Sequence, residues 1–166
     1  MNHADLNKRI ENRSLGLLRQ AERHYNRTMP EIEIRFDLRG RGAGMVCFPV
    51  IGKPSIRYNK LLLKENFEIF LAETVPHEIA HLVARTLFGK KIRPHGAEWK
   101  SVMDYFGIEA KRCHDFDVSR SSRRSLERFN YLCSCREHQL TSIRHNRAQA
   151  GTVYSCRRCG EVLKCI

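Results

Sequence analysis

The sequence has no apolar run of the roughly 20 residues needed to cross a membrane. Its start, Met1 to Arg9, has no apolar core of the kind a secretory signal carries. These two absences predict a cytoplasmic protein with no membrane partner, free to associate with the nucleoid. There is no G-x-x-x-x-G-K phosphate loop, no internal repeat and no long low-complexity tract. Acidic residues are also scarce, with 18 Asp+Glu against 30 Lys+Arg and a formal net charge of +12. The imbalance is uneven. Residues 111–166 hold 12 basic and 5 acidic residues, while residues 1–110 hold 18 and 13. A basic end of this kind predicts a polyanion partner, DNA first, single- or double-stranded, with RNA as the competitor.

Against that background one stretch is rich in chemistry: Thr74-Val-Pro-His-Glu-Ile-Ala-His81. Residues four apart on a helix share a face, so His77 and His81 can aim two imidazoles at one metal ion. Glu78 is turned about 100° round the helix and can reach a water at that ion without being a ligand. H-E-x-x-H on a helix therefore points to a zinc hydrolase with Glu78 as its catalytic base. Val75, Ile79, Leu82, Val83 and Leu87 form the core-facing stripe of the same helix. Thr74 reads as its N-cap, Pro76 as a first-turn residue and Gly89 as its stop. A competing reading starts the helix near Lys64 and kinks it at Pro76.

A catalytic zinc takes three protein ligands. His95, just before a helix expected over Ala97 to Tyr105, is the favoured third, and Glu98 and His114 are its rivals. Seven cysteines in a reducing compartment suggest metal rather than disulfides. Cys133, Cys135, His138, Cys156 and Cys159 are five candidates for the four places of a structural zinc. Their two ligand pairs are expected to be held apart by a short hairpin carrying Arg144 and Arg147. With Arg123, Arg124, Arg157 and Arg158, these arginines are the candidate nucleic-acid contacts.

The remaining chain predicts an α+β fold. Residues 4–27 form an amphipathic helix with Leu6, Ile10, Leu15, Leu17, Leu18 and Ala21 as its stripe. Ile32, Ile34 and Phe36 alternate with charged residues, as a half-buried strand does. Met45 to Val50 and Ser55 to Tyr58 follow after turns, and the short connections predict a small antiparallel meander. Gly40, Gly42 and Gly44 belong to the first of those turns. Asn59 to Phe70 is helical, and the Arg/Ser-rich residues 119–130 read as a basic linker.

Taken as a set, the 74–81 stretch, Pro94-His95-Gly96-x-x-Trp99, Arg112-Cys113-His114 and the two cysteine pairs behind Tyr131 and Tyr154 resemble the bacterial SprT proteins. The wider SprT-like family includes the eukaryotic protease Spartan, which degrades proteins crosslinked to DNA. The resemblance implies a zincin-like metallopeptidase core over residues 1–118 and a zinc ribbon over 131–166. It implies one catalytic Zn2+ on His77, His81 and His95, a second, structural Zn2+, and protein substrates bound to DNA. The alternative is a zinc-containing nucleic-acid-binding regulator whose H-E-x-x-H site is not catalytic.

Overall fold

The structure is a computed structural model that describes residues 2–121 and 127–166. Arg123 and Arg124 lie outside the described residues. The chain divides into two compact units, residues 1–123 and 124–166.

The first unit opens with α1 (His3–Tyr25), whose N-cap Asn2 accepts a hydrogen bond from the Asp5 N–H. Its buried stripe is Leu6, Ile10, Ser14, Leu17, Leu18 and Ala21. Leu15, expected inside, is 39 % exposed; Ser14 takes the buried position and returns its hydroxyl to the Ile10 carbonyl at 2.8 Å. Three strands follow, β1 (Glu33–Leu38), β2 (Gly44–Cys47) and β3 (Ser55–Asn59).

The sheet order is β1-β3-β2, with β1 parallel and β2 antiparallel to β3. The expected antiparallel meander is therefore corrected to a mixed sheet. Residues 39–54 are long enough for the crossover that parallel strands need, and β2 lies within it. Ile56 and Tyr58 are fully buried, so β3 takes the middle, while β1 alternates exposed and half-buried as an edge strand does. Gly44 belongs to β2, not to the turn before it.

From β3 the chain enters α2 (Lys60–Glu65), capped by Asn59, whose side chain accepts from the Leu61 and Leu62 N–H groups. The same side chain donates to the Gly40 and Gly42 carbonyls, at 3.0 and 3.1 Å, and so fixes the glycine turn. Then come α3 (Phe67–Ile69), a π-helical turn (Phe70–Thr74) and α4 (Val75–Phe88). Thr74 is helical, with φ −67° and ψ −42°, and makes no side-chain cap bond, so it is not the N-cap. Pro76 has no N–H to return to the Ala72 carbonyl, and the Val75 N–H reaches five residues back to Phe70. The competing reading of a longer, interrupted helix is the nearer one. Gly89, with φ +87°, ends α4 in a backbone conformation that favours glycine. After a turn, α5 (Ala97–Tyr105) packs Trp99, Val102 and Met103 into the core shared with α1, β3 and α4.

The second unit is a sheet of order β5-β4-β6, from β4 (Arg128–Cys133), β5 (Arg136–Thr141) and β6 (Lys164–Cys165). The segment between the ligand pairs is not a hairpin. It holds α6 (Ser142–Gln149), which starts as β5 ends and stops before Gly151, at φ +95°. Arg144 and Arg147 sit on this helix and are exposed. Their three-residue spacing puts them on one face of it.

Candidate metal centres

The first centre is built on α4. His77 and His81, one turn apart, place their Nε2 atoms 3.2 Å from each other. His95 comes in from the turn before α5, with its Nε2 at 3.2 Å from His81 and 3.3 Å from His77. Three ligands at ~2.0–2.1 Å from a tetrahedral ion would lie ~3.3–3.4 Å apart. The triangle therefore fits a metal such as zinc, and imidazole is a donor zinc takes. The His77 ring donates to the Lys111 backbone carbonyl and the His81 ring to that of Pro94. Such outer hydrogen bonds fix the tautomer and leave the Nε2 lone pairs for the ion.

Trp99 is the floor of this site. It is fully buried, its ring centroid lies 4.8 Å from those of His77 and His95 and 5.4 Å from that of His81, and its Nε1–H donates to the His77 carbonyl at 3.3 Å. Burial holds His77 down to about 4 and His81 to about 3, with the neighbouring rings adding to the effect. His95 is lowered by burial and then by the nearby Arg112 charge. Neutral imidazoles are the form a metal needs.

Glu78 is 6 % exposed and lies between α4 and β2. Burial pushes its carboxyl up to about 8, while a hydrogen bond from the Val46 backbone pulls the other way. The approach to β2 is close. A Cβ at Gly44 would stand 2.5 Å from Glu78 Cγ and 2.6 Å from its Oε1, so this position has room only for glycine.

Of the rivals for third ligand, Glu98 lies in the first turn of α5 and His114 is engaged elsewhere. His114 Nε2 lies 3.0 Å from the Arg41 carbonyl, and its Nδ1 accepts from the Phe116 N–H at 3.2 Å. The three histidines open onto a cleft of about 790 Å³ that Gly44, Met45 and Val46 also line. Sequence reasoning missed Gly44, the Val46 N–H and the Lys111 and Pro94 carbonyls. Trp99 carried a usable signal, since it stands one turn after His95 and is the only Trp of the chain.

The second centre is built on turns. Cys133 and Cys135 flank the β4–β5 turn, and Cys156 and Cys159 flank the turn that Gly160 closes at φ +76°. All four sulfurs lie within 4.8 Å of one another. Cys135 is 3.5 Å from Cys133 and 3.7 Å from Cys156, against ~3.8 Å for thiolates at ~2.3 Å around a tetrahedral zinc. His138 stands beside this set, its Nε2 3.2 Å from the Cys133 sulfur. Backbone hydrogen bonds at Cys159 and Arg158 draw the Cys156 thiol down to about 5, toward the thiolate a metal binds. Arg157 and Arg158 are exposed on this second turn. Among the described residues no helix is long and apolar enough to cross a membrane.

The SprT-like family model matches residues 15–119, which contain the whole three-histidine centre. The chain is 41 % identical over 162 residues to Protein SprT of Pseudomonas paraeruginosa, covering 95 % of this chain and 92 % of that one. It is 42 % identical over 164 residues to Protein SprT of Pseudomonas syringae pv. tomato, covering 97 % and 94 %. With Protein SprT of Pasteurella multocida it shares 36 % over 156 residues, covering 93 % and 90 %. No solved structure matches significantly. A mixed α+β core that draws three histidines together, an end that gathers four cysteines, and this extent of similarity agree: the chain belongs to the SprT-like family.

Proposed function

We propose that the chain is a zinc-dependent peptidase with a zincin-like core, acting on proteins bound or crosslinked to DNA. The observation that carries the peptidase reading is Glu78. It is a buried carboxylate beside three convergent imidazoles, held by β2, and a purely structural metal site has no use for it. Zinc, when bound, lowers the pKa of water toward neutrality and polarises a carbonyl.

The protein's own residues supply the rest. His77, His81 and His95 hold the ion. Glu78 takes the attacking water's proton and returns it to the leaving amine, as general base and then general acid. The Val46 N–H keeps the Glu78 carboxylate aimed into the cleft. β2 is an edge strand lining that cleft, so an extended substrate chain has a partner for main-chain pairing, which gives affinity with little sequence preference.

The DNA half of the reading rests on charge. Residues 124–166 hold eight Lys and Arg against three Asp and Glu, and Arg144, Arg147, Arg157 and Arg158 are exposed. Such a unit would tether the enzyme to DNA and raise the local concentration of substrate, with an affinity that falls steeply as salt rises. The deciding assay compares cleavage of an unfolded protein by wild type and Glu78→Gln, zinc-loaded, with and without DNA. Cleavage that needs Glu78 and rises with DNA supports both halves. Zinc and DNA binding without any cleavage would favour the regulator instead.

A further inference from the structure

On the peptidase reading the site would hold an ion and move a proton, yet hydrolysis also creates an anion. When water adds to the scissile carbonyl, the C=O π pair moves onto oxygen. Glu78 holds the water's proton meanwhile. On collapse the C=O re-forms, the C–N bond breaks, and that proton goes to the amine, leaving an amine and a carboxylic acid. A donor aimed at the transient oxyanion is ordinarily a large part of the rate enhancement.

The cleft offers few free donors. Lys111 is paired with Glu109 at 3.2 Å. The Arg85 guanidinium lies over the Phe48 ring at 4.0 Å from its centroid. Both His114 nitrogens are in use: Nε2 lies 3.0 Å from the Arg41 carbonyl and Nδ1 accepts from the Phe116 N–H. Lys90 follows the end of α4, roughly 10 Å or more along the chain direction from His81.

Two arginines, Arg41 and Arg112, differ from these, since both line the cleft and are exposed; of the two, only Arg112 directly follows a residue whose backbone is tied to a ligand ring, that of Lys111 to His77. Arg112 has no carboxylate partner among the described residues. Its segment has no regular secondary structure but is tied on both sides. The Lys111 carbonyl accepts from the His77 ring, and two residues past Arg112 the His114 ring bonds to Arg41. Phe116 then stacks on Phe70, with centroids 6.1 Å apart and planes 9° apart. Arg112 and His95 line the same cleft. A cation lining a cleft that also takes a metal cation is unfavourable in the resting protein, and becomes favourable when an anion forms between them.

We propose that Arg112 is a catalytic residue of this cleft, its guanidinium donating to the oxygen that becomes anionic when water adds to the scissile carbonyl. The inference rests on the peptidase reading. Arg112 would add a second, planar donor to the charge stabilisation supplied by the ion.

The test uses the full zinc-loaded chain as wild type, Arg112→Ala, Arg112→Lys and Arg41→Ala, on one fluorogenic peptide, with zinc content and near-ultraviolet dichroism recorded for each. Arg112→Ala is expected to lower kcat by ~10²–10³-fold, the loss seen when one oxyanion donor is removed. KM should stay within about twofold, as for an interaction made only in the transition state. A phosphonamidate analogue of the same peptide, titrated calorimetrically, should lose affinity for Arg112→Ala in parallel with kcat/KM. Arg112→Lys, which keeps a charge without the planar fork, should fall between the two, and it carries the comparison if Arg112→Ala loses zinc.

An unchanged kcat, a loss confined to KM, or an equal loss in Arg41→Ala would each overturn the assignment. The second would make Arg112 an anchor for a substrate carboxylate, and the third would reduce it to general charge. Wild type that cleaves nothing, with or without DNA, overturns the peptidase reading and this inference together. Wild type that cleaves while Arg112→Ala cleaves equally well overturns this inference alone.

Discussion

The two candidate metal centres are made in opposite ways. The histidine centre sits on a helix whose other face belongs to a core of 21 buried apolar residues among those described. The cysteine centre sits on two turns of a unit whose buried apolar residues, among those described, are Tyr131, Leu140 and Cys156. In the first unit the fold positions the ligands. In the second a metal on the four cysteines would hold the fold, since a unit this small buries too little apolar surface to be stable unaided. The donor types follow the same division. Three imidazoles leave a coordination position for chemistry, and four thiolates close the ion off.

The largest effect expected from this contrast is structural. Cys156→Ser should unfold residues 124–166 while leaving the first unit folded. A His77→Ala/His81→Ala protein should lose one metal ion and keep both units. Amide spectra of the two variants, with zinc counted by mass spectrometry, read this directly. A second unit that stays folded without metal would break the contrast.

Next in size is Glu78→Gln, which should cut kcat by ~10²–10⁴-fold with both metal ions retained, as expected for loss of a general base. Gly44→Ala should cost ~10²-fold in kcat/KM, because the new methyl cannot coexist with the Glu78 side chain where it stands. A fully active Gly44→Ala would show that β2 does not hold the carboxylate in place.

The pH dependence of the metal-free protein sharpens the comparison further. The Glu78 carboxyl is raised from 4.5 to about 8, so its protonated form belongs to the folded state, and its contribution to stability is lost as pH rises from the unfolded value through about 8. His77 and His81 are lowered from 6.5, so their contribution is present above 6.5 and is lost as pH falls below it. The metal-free melting temperature should therefore fall between pH 6.5 and 8, and Glu78→Gln should flatten that slope. A slope unchanged in Glu78→Gln would assign it to other groups.

The smallest effect is expected for His138→Ala. With four thiols converging, its loss should weaken metal binding in the second unit by ~10-fold, as for an outer partner of a ligand. A loss as complete as that in Cys156→Ser would make His138 itself a ligand.

The histidine triad was legible because two of its members obey helical spacing and the third stands at the entrance to the next helix. The cysteine pairs were legible for a similar reason, since ligand spacing is local. What local spacing does not carry is pairing at a distance. β1 joins β3 rather than β2, and Gly44 meets Glu78 across 34 positions of chain; neither follows from a period of two or 3.6. Three glycines in alternation read as a flexible turn, and nothing in them marked Gly44 as the one beneath a carboxylate. The segment behind the first cysteine pair reads as a hairpin tip in the sequence because its charges suit either state. Helix formers such as Arg, Ala and Gln at 144–149 decide for a helix.

The π-helical turn at Phe70–Thr74 sets the rotational phase of everything after it. Each residue of an α-helix advances the chain by about 100°, and the wider turn holds one residue more than an α-helix would use for the same rise. Removing one residue there would give a smoother helix and a misdirected one. His77 and His81 would swing about a quarter-turn off the cleft while Val75 and Ile79 left the core. In this part of the chain length acts as angle, so an insertion or deletion between Phe70 and Thr74 would be felt as a turned wrist rather than a longer arm.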